Sequence, residues 1–308
     1  MPTLLLSGAS GFIGQKVAAA FAADGYRIVP MVRGRPSSEH TVSWRPGDGV
    51  VDRDALERTQ PDVVINLAGE PIDRRWTARR RDAIRNSRVR GTIALAQALA
   101  TSPRKPTVFL SGSAIGYYGG HRGSEELDES SPAGGDFLAE TARDWERATA
   151  PAAEAGIHVV TIRTGVVIGR EGGMLRRLLL PFRLGLGARM SSGDQWVSWI
   201  AVRDVIRAIQ FLVARRPVTG PVNLVAPNPV QNSAFTKTLA RVLRRPAVLA
   251  VPRFALELVF GAMADNTILA SQRAVPKRLL SAGFDFRYPD LEAALRAELT
   301  RSGGPGDR

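Results

Sequence analysis

The sequence predicts an α/β fold in which a doubly wound parallel sheet is followed by a smaller C-terminal lobe. Three observations carry that expectation. Short apolar runs alternate with longer helical patterns over roughly the first 165 residues, the rhythm of repeated strand–helix–strand units. A glycine-rich turn, Gly8-Ala9-Ser10-Gly11-Phe12-Ile13-Gly14, joins the first run to the first helix. After Gly169 the alternation stops.

In order, residues 3–7 read as a buried strand, and the Ala-rich stretch from Gln15 to Ala23 reads as the helix that follows it. Apolar runs at 27–32, 62–67, 107–111 and 158–162 supply further strands, and the patterns at 77–100 and 136–154 supply long helices. Beyond Gly169, Leu175–Leu180 and Pro181–Leu186 are apolar without that rhythm, and shorter helices follow near 203–213, 232–243 and 253–263. The expected organisation is a first unit over 1–168, to which later segments return, a lobe over 169–300 and a flexible tail over 301–308.

Composition excludes several classes of function. With no cysteine and three scattered histidines (His40, His121, His158), there is no material for a disulfide scaffold, a thiolate metal site or a cysteine nucleophile, and no metal is expected. Nowhere do 18 apolar residues run together, and the N-terminus has no basic region followed by a long apolar run, so a cytoplasmic protein with no membrane partner is expected. The formal charge of +13 raises the question of a polyanionic partner. Most of that charge is arginine spread along the chain, with one dense run at 74–90, which reads as a solvated helix face; no nucleic-acid partner is expected.

Gly8-x-x-Gly11-x-x-Gly14 lies between a strand and a helix, the context in which glycines allow a tight turn and a close approach to a pyrophosphate. Exposed N–H groups at the start of the helix complete such a cradle, so Gly8, Ser10, Gly11, Phe12, Ile13 and Gly14 are candidate cofactor residues. The fold is then of Rossmann type. At the end of the second strand, Val29-Pro30-Met31-Val32-Arg33-Gly34-Arg35, the acidic residue that would bind the 2′-hydroxyl of NAD is missing and Arg33 stands instead. A guanidinium pairs with a 2′-phosphate, which makes NADP(H) the expected cofactor, with Arg35 a weaker candidate for the same phosphate.

With Ile65-Asn66-Leu67-Ala68-Gly69, Leu110-Ser111-Gly112-Ser113-Ala114-Ile115-Gly116-Tyr117 and Arg163-Thr164-Gly165-Val166-Val167-Ile168-Gly169 following the glycine loop in order, the chain resembles the extended short-chain dehydrogenase/reductases. More narrowly, Gly69-Glu70-Pro71-Ile72, Arg75-Trp76, Pro181 to Gly187, Gln195-Trp196, Ser198-Trp199-Ile200 and Pro276 to Leu280 resemble its atypical SulA-like "epimerase family" branch. The resemblance covers nearly the whole chain. It adds Leu67, Ala68, Gly69, Ser111 and Arg163 to the cofactor side and implies Arg75, Trp76, Arg88, Tyr118 and Trp199 on the substrate side.

The same resemblance implies a catalytic Ser, Tyr and Lys, the last two spaced Tyr-x-x-x-Lys on one helix. Ser113 fits the first role, but Phe137 and Thr141 stand where Tyr and Lys belong. Phenylalanine carries no proton, so another group must serve, with Tyr117, Tyr118 and Glu140 as candidates, or the protein binds its cofactor without turnover. Arg88 replaces an asparagine found in many relatives and, pointing inward, suits an anionic group. The leading expectation is an NADP(H)-dependent oxidoreductase or epimerase-like enzyme acting on a small carbonyl or alcohol. The alternative is a non-catalytic NADP(H)-binding regulatory or scaffold protein. The helices at 77–100 and 136–154 build a dimer interface in the family resembled, which makes a homodimer an expectation too.

Overall fold

The computed structural model describes residues 1–34, 40–216 and 218–299; Arg35 and the tail lie outside these. The strands of the first half are β1 (Thr3–Ser7), β2 (Arg27–Arg33), β3 (Val42–Arg45), β4 (Val50–Val51), β5 (Val63–Asn66), β6 (Val108–Ala114), β7 (His121–Leu127), β8 (His158–Thr164) and β9 (Val166–Gly169). Those of the second half are β10 (Ala188–Met190), β11 (Trp196–Val197), β12 (Trp199–Ala201), β13 (Gly220–Leu224), β14 (Val230–Gln231), β15 (Leu249–Val251) and β16 (Ser271–Ala274). The helices are α1 (Phe12–Ala23), α2 (Arg53–Thr59), α3 (Ala78–Thr101), α4 (Phe137–Arg147), α5 (Ala150–Glu154), α6 (Gly173–Arg183), α7 (Val202–Arg215), α8 (Asn232–Leu243), α9 (Arg253–Phe260), α10 (Lys277–Ser281) and α11 (Leu291–Leu299).

Eight strands form the main sheet in the order β13-β8-β6-β5-β1-β2-β3-β4, parallel throughout except for the β3–β4 pair. From β1 the chain winds outward through β2 and β3, then returns to β5 on the other side and winds the opposite way. This reversal leaves a crevice at the carboxyl ends of β1 and β5, where an open α/β sheet takes its ligands.

The apolar run of β1 is buried on both faces because helices cover the sheet from both sides. Leu4 and Leu6 face a core completed by Val17 and Phe21 of α1 and by Ile209 and Leu212 of α7. Leu5 faces the other core, with Leu95 and Leu99 of α3, Phe109 and Ala152. Each of these leucines contributes about 2 kcal/mol on burial, so the strand that carries the glycine turn is firmly anchored.

The expected helix over 136–154 is broken in two, with Pro151 in the first turn of α5. The strand pair β3–β4 and the strand β7 were not read from the sequence. Residues 220–224 return to the main sheet as its edge, next to β8. The apolar segment from Leu175 begins as helix, running on through Pro181 to Arg183. A third core lies away from the sheet, where Leu175 and Phe182 of α6 meet Trp199, Phe235 and Leu239 of α8, and Leu295 of α11.

Candidate functional site

The glycine turn has the conformation its residues permit. Gly8 has φ +73°, and a Cβ there would stand 2.9 Å from the Leu67 carbonyl carbon. A Cβ on Gly14 would stand 2.1 Å from the Gly8 carbonyl oxygen, so no larger residue fits. Gly11 N donates to Gly8 O at 2.9 Å and closes the turn. No side chain caps the start of α1, which leaves its N-terminal N–H groups to a ligand. Ser10 and Gly11 are exposed there, and Ile13 packs behind them against the sheet core.

Ser7, at the end of β1, ties this turn to the neighbouring one. Its hydroxyl donates to Asn66 Oδ1 at 2.5 Å and accepts from the N–H groups of Leu67 and Ala68 at 3.1 and 3.2 Å. Asn66 Nδ2 and Trp145 Nε1 both donate to Thr92 Oγ1 at 2.9 Å, which carries the same network to α3 and α4. Leu67 and Ala68 thus stand against Gly8 just beyond β5, and Gly69 follows over the Arg88 guanidinium. Arg33 is exposed at the end of β2, and no carboxylate occupies residues 29–34. An open helix start, a turn too tight for any Cβ and an arginine in place of the acid together fit a 2′-phosphorylated dinucleotide.

Ser10, Phe12 and Gln15 also line a cavity of about 1370 Å³ that continues into the C-terminal half. Its wall is largely apolar, with Ile72, Ile115, Leu178, Phe182, Trp196 and Phe260 among its residues. Asp73 lines it as well, in an ion pair with Arg177. Above Phe12, Gly172 passes so close that a Cβ would meet the ring at 2.3 Å, and Lys16 pairs with Glu171 at 2.6 Å. Among the described residues, no group of three or more His, Asp or Glu side chains is placed to hold a metal ion.

Several sequence-derived candidates sit elsewhere. Trp199 is wholly buried in the third core, its indole donating to Asn228 O at 3.0 Å; the tryptophan that lines the cavity is Trp196. Tyr118 is also fully buried, its hydroxyl accepting from Arg163 at 3.0 Å and engaged with Asn223 Oδ1 at 2.6 Å. Burial pushes that phenol up to about 12 against the pull of Arg163. Ser111 is buried within β6, with only Gly112 O near its hydroxyl, at 3.4 Å. Glu140 is exposed on α4.

Arg163, expected beside the cofactor, is the centre of a buried network. Its Nε and Nη2 hold Glu146 Oε1 and Oε2 at 2.8 and 2.9 Å as a fork, and its guanidinium lies 3.5 Å from the Tyr117 ring centre. Burial alone would lower its pKa, but the bonds to Glu146 outweigh that and hold it above its ordinary value. Ser113 Oγ donates to the same Glu146 Oε1 at 2.6 Å. Glu146, on α4, was not among the residues singled out from the sequence, because its partners come from two separate strands, β6 and β8.

At the Tyr and Lys positions, Phe137 packs edge-on against Trp76 at 5.3 Å between ring centres, and Thr141 is buried with no hydrogen-bond partner for its hydroxyl. Asp136 caps α4 through Ala139 N and so fixes where Phe137 starts the helix. Trp76 is nearly buried beside Ile84 and Met263, while Arg75 is exposed against Gly261. Arg88 turns inward beneath Gly69, donating to Glu70 O at 2.9 Å and lying over the Trp145 ring at 5.2 Å. Burial pulls its pKa down to about 10 against the opposing effect of Glu70, so it stays charged at neutral pH.

The sheet order, the glycine cradle and the crevice define a dinucleotide-binding protein of the Rossmann class. Residues 4–225 match the family described as the NAD dependent epimerase/dehydratase family, and the chain belongs to it. Residues 251–298 match a model described only as a domain of unknown function. "Epimerase family protein Mb2239" of Mycobacterium bovis is 41% identical over 299 residues, covering 97% of this chain and 98% of that protein. The crystal structure of human epimerase family protein SDR39U1 with NADPH superposes with a TM-score of 0.87 at 30% identity, over 97% of this chain and 99% of the human one. A nucleoside-diphosphate sugar epimerase from Corynebacterium glutamicum superposes at 0.80 with 37% identity, over 97% of this chain but 58% of that longer one.

Proposed function

We propose that this protein is an NADP(H)-dependent oxidoreductase of the extended short-chain type, acting on a small carbonyl or alcohol with an apolar body. One observation carries the reading: Ser10, Phe12 and Gln15 of the glycine turn and its helix are also walls of the large apolar cavity. A dinucleotide seated in the turn then directs its reactive end toward a space built for apolar matter. NADPH in the human relative supports the choice of cofactor.

In this reading the backbone N–H groups of Ser10 to Ile13 hold the pyrophosphate and Arg33 pairs with the 2′-phosphate. NADP(H) bound there would supply the hydride chemistry, its donor or acceptor, for the substrate carbon. Ser113 hydrogen-bonds the reacting oxygen, and Glu146 serves as the proton acceptor behind it. As an alcohol is oxidised, its hydroxyl proton passes to Ser113 Oγ while the serine proton passes to Glu146; reduction runs the same transfer in reverse. Arg163 positions Glu146 and keeps its carboxylate oriented toward Ser113.

The test is consumption of NADPH with a panel of apolar aldehydes and ketones, compared between native protein and Ser113→Ala. Turnover that collapses in the variant supports the reading. No turnover with any carbonyl, or turnover unaffected by the variant, contradicts it.

The packing of Phe137 and Thr141 favours a second reading, a protein that binds NADP(H) as a regulatory signal. That reading requires tight NADPH binding with no turnover, and activity gained in a Phe137→Tyr, Thr141→Lys double variant. Native turnover lost on Ser113→Ala rules it out.

A further inference from the structure

Among the described residues, most of the large apolar side chains that are exposed are gathered in one region. Leu180 and Leu184 stand one turn apart on or just beyond α6, Leu186 follows, and Val248 is 86% exposed just before β15. The segments carrying them run side by side: β10 pairs with β15, a Cβ on Gly185 would lie 3.6 Å from Pro246, and one on Gly187 would lie 3.0 Å from Ala247 Cβ. Helix α9 leaves β15 through Pro252 and packs back through Leu256, which shares a cluster with Met190 and Val251. Its other face leaves Phe254 70% and Leu258 75% exposed.

The charge around these side chains is predominantly positive, and the acids among them, Glu257 on α9 with Asp265, Asp73 and Glu292 nearby, are held in ion pairs with Arg253, Arg177 and Arg241. Residues 173–190 hold four arginines and residues 237–253 hold Lys237 and four more, with no aspartate or glutamate in either stretch. Arg176, Arg183, Arg244 and Arg245 are exposed and form no ion pair among the described residues. Apolar side chains rimmed by unpaired guanidiniums match a surface that is apolar inside and anionic outside. A second copy of the chain does not match it, because a two-fold interface would set arginine against arginine.

We propose that this face of the C-terminal half docks on an anionic lipid bilayer, with Leu184, Val248, Phe254 and Leu258 entering the headgroup region and the arginines pairing with lipid phosphates. The contact is peripheral, since no helix among the described residues is long and apolar enough to cross a membrane. The opposite sides of the same helices, Leu178 and Phe182 on α6 and Leu256 and Phe260 on α9, line the cavity. Docking would therefore place an apolar substrate's source beside the cavity wall, but the docking itself does not depend on hydride transfer.

The experiment is flotation of the full chain, without cofactor or substrate, with vesicles of phosphatidylcholine alone or of equal parts phosphatidylcholine and phosphatidylglycerol. Two variants are carried beside it, Leu184→Ser with Leu258→Ser, and Arg244→Glu with Arg245→Glu; all four positions are exposed, and thermal melts confirm that each variant is folded. Binding only to the anionic vesicles, at least about tenfold weaker in both variants, supports the proposal. No binding to either vesicle overturns it, as does binding that the serine variant leaves unchanged. Sedimentation velocity without lipid completes the test: a concentration-dependent dimer abolished by the serine variant would assign the face to a second copy instead.

Discussion

Ser113 Oγ donates to Glu146 Oε1 at 2.6 Å, so the hydroxyl this chain keeps, where Phe137 and Thr141 replace the tyrosine and lysine, is already coupled to a carboxylate. Arg163 holds both oxygens of that carboxylate. Glu146 lies on α4, the same helix on which Phe137 and Thr141 occupy the positions of the usual tyrosine and lysine.

Loss of the hydroxyl should therefore cost turnover and spare cofactor binding. Ser113→Ala is expected to lower kcat by about 100-fold, the scale of removing one donor to a reacting oxygen, with the Kd for NADPH unchanged. Steady-state kinetics and a fluorescence titration on the same preparation check both halves.

Glu146 also carries structural weight. Glu146→Ala leaves the Arg163 guanidinium buried without its partner and is expected to cost about 3 kcal/mol of stability by denaturant unfolding. Glu146→Leu combined with Arg163→Met removes both charges and should recover much of that loss, because the buried orphan charge is the main penalty. Equal losses in the single and double variants would contradict this.

Gly14→Ala tests the cradle. The added methyl would lie 2.1 Å from Gly8 O, so either the turn opens or the helix shifts. NADPH binding should fall below detection, and stability should fall by about 1–3 kcal/mol from overpacking. Gly25→Ala is the control for this fold: with open space around it and φ +84°, it strains the backbone without touching the cradle.

A pH effect follows from Asp128. Lys277 at 2.8 Å and then Ser130 hold its carboxyl well below the usual carboxylate range. A carboxyl depressed in the folded state contributes stability that is fully present above its unfolded value, about pH 4, and is lost as the pH falls toward the folded one. The pair is at the surface, so Asp128→Asn should cost only about 0.5 kcal/mol at pH 7. The difference from native protein should shrink as the solution is acidified through pH 4, measured by urea unfolding at each pH.

The scaffold was legible where the backbone imposes residue type. Gly8 and Gly14 announce their turn because no other residue fits, and β1 announces itself because both its faces are covered. The strands β3 and β4 were not legible, being short and ordinary in composition, and Gly220–Leu224 gave no local sign that it would travel back to the sheet. At the site, the replacements Phe137 and Thr141 could be read directly. The partners of Ser113 and Arg163 could not, because Glu146 meets them across 33 and 17 residues of chain, and motif position says where a residue stands but not what it touches. Trp196 and Trp199 look alike in sequence; only the pairing of β12 with β9 turns Trp199 into the core and leaves Trp196 at the cavity.

An NADP(H) site formed by the glycine turn and Arg33 is open to direct measurement. Its most direct test is a fluorescence titration of the native chain and of Arg33→Ala with NADPH and NADH at one ionic strength. Native protein is expected to bind NADPH at least about tenfold more tightly than NADH, and Arg33→Ala to remove most of this preference while leaving NADH binding intact. Equal affinity for the two nucleotides, or a preference that survives in the variant, would contradict it.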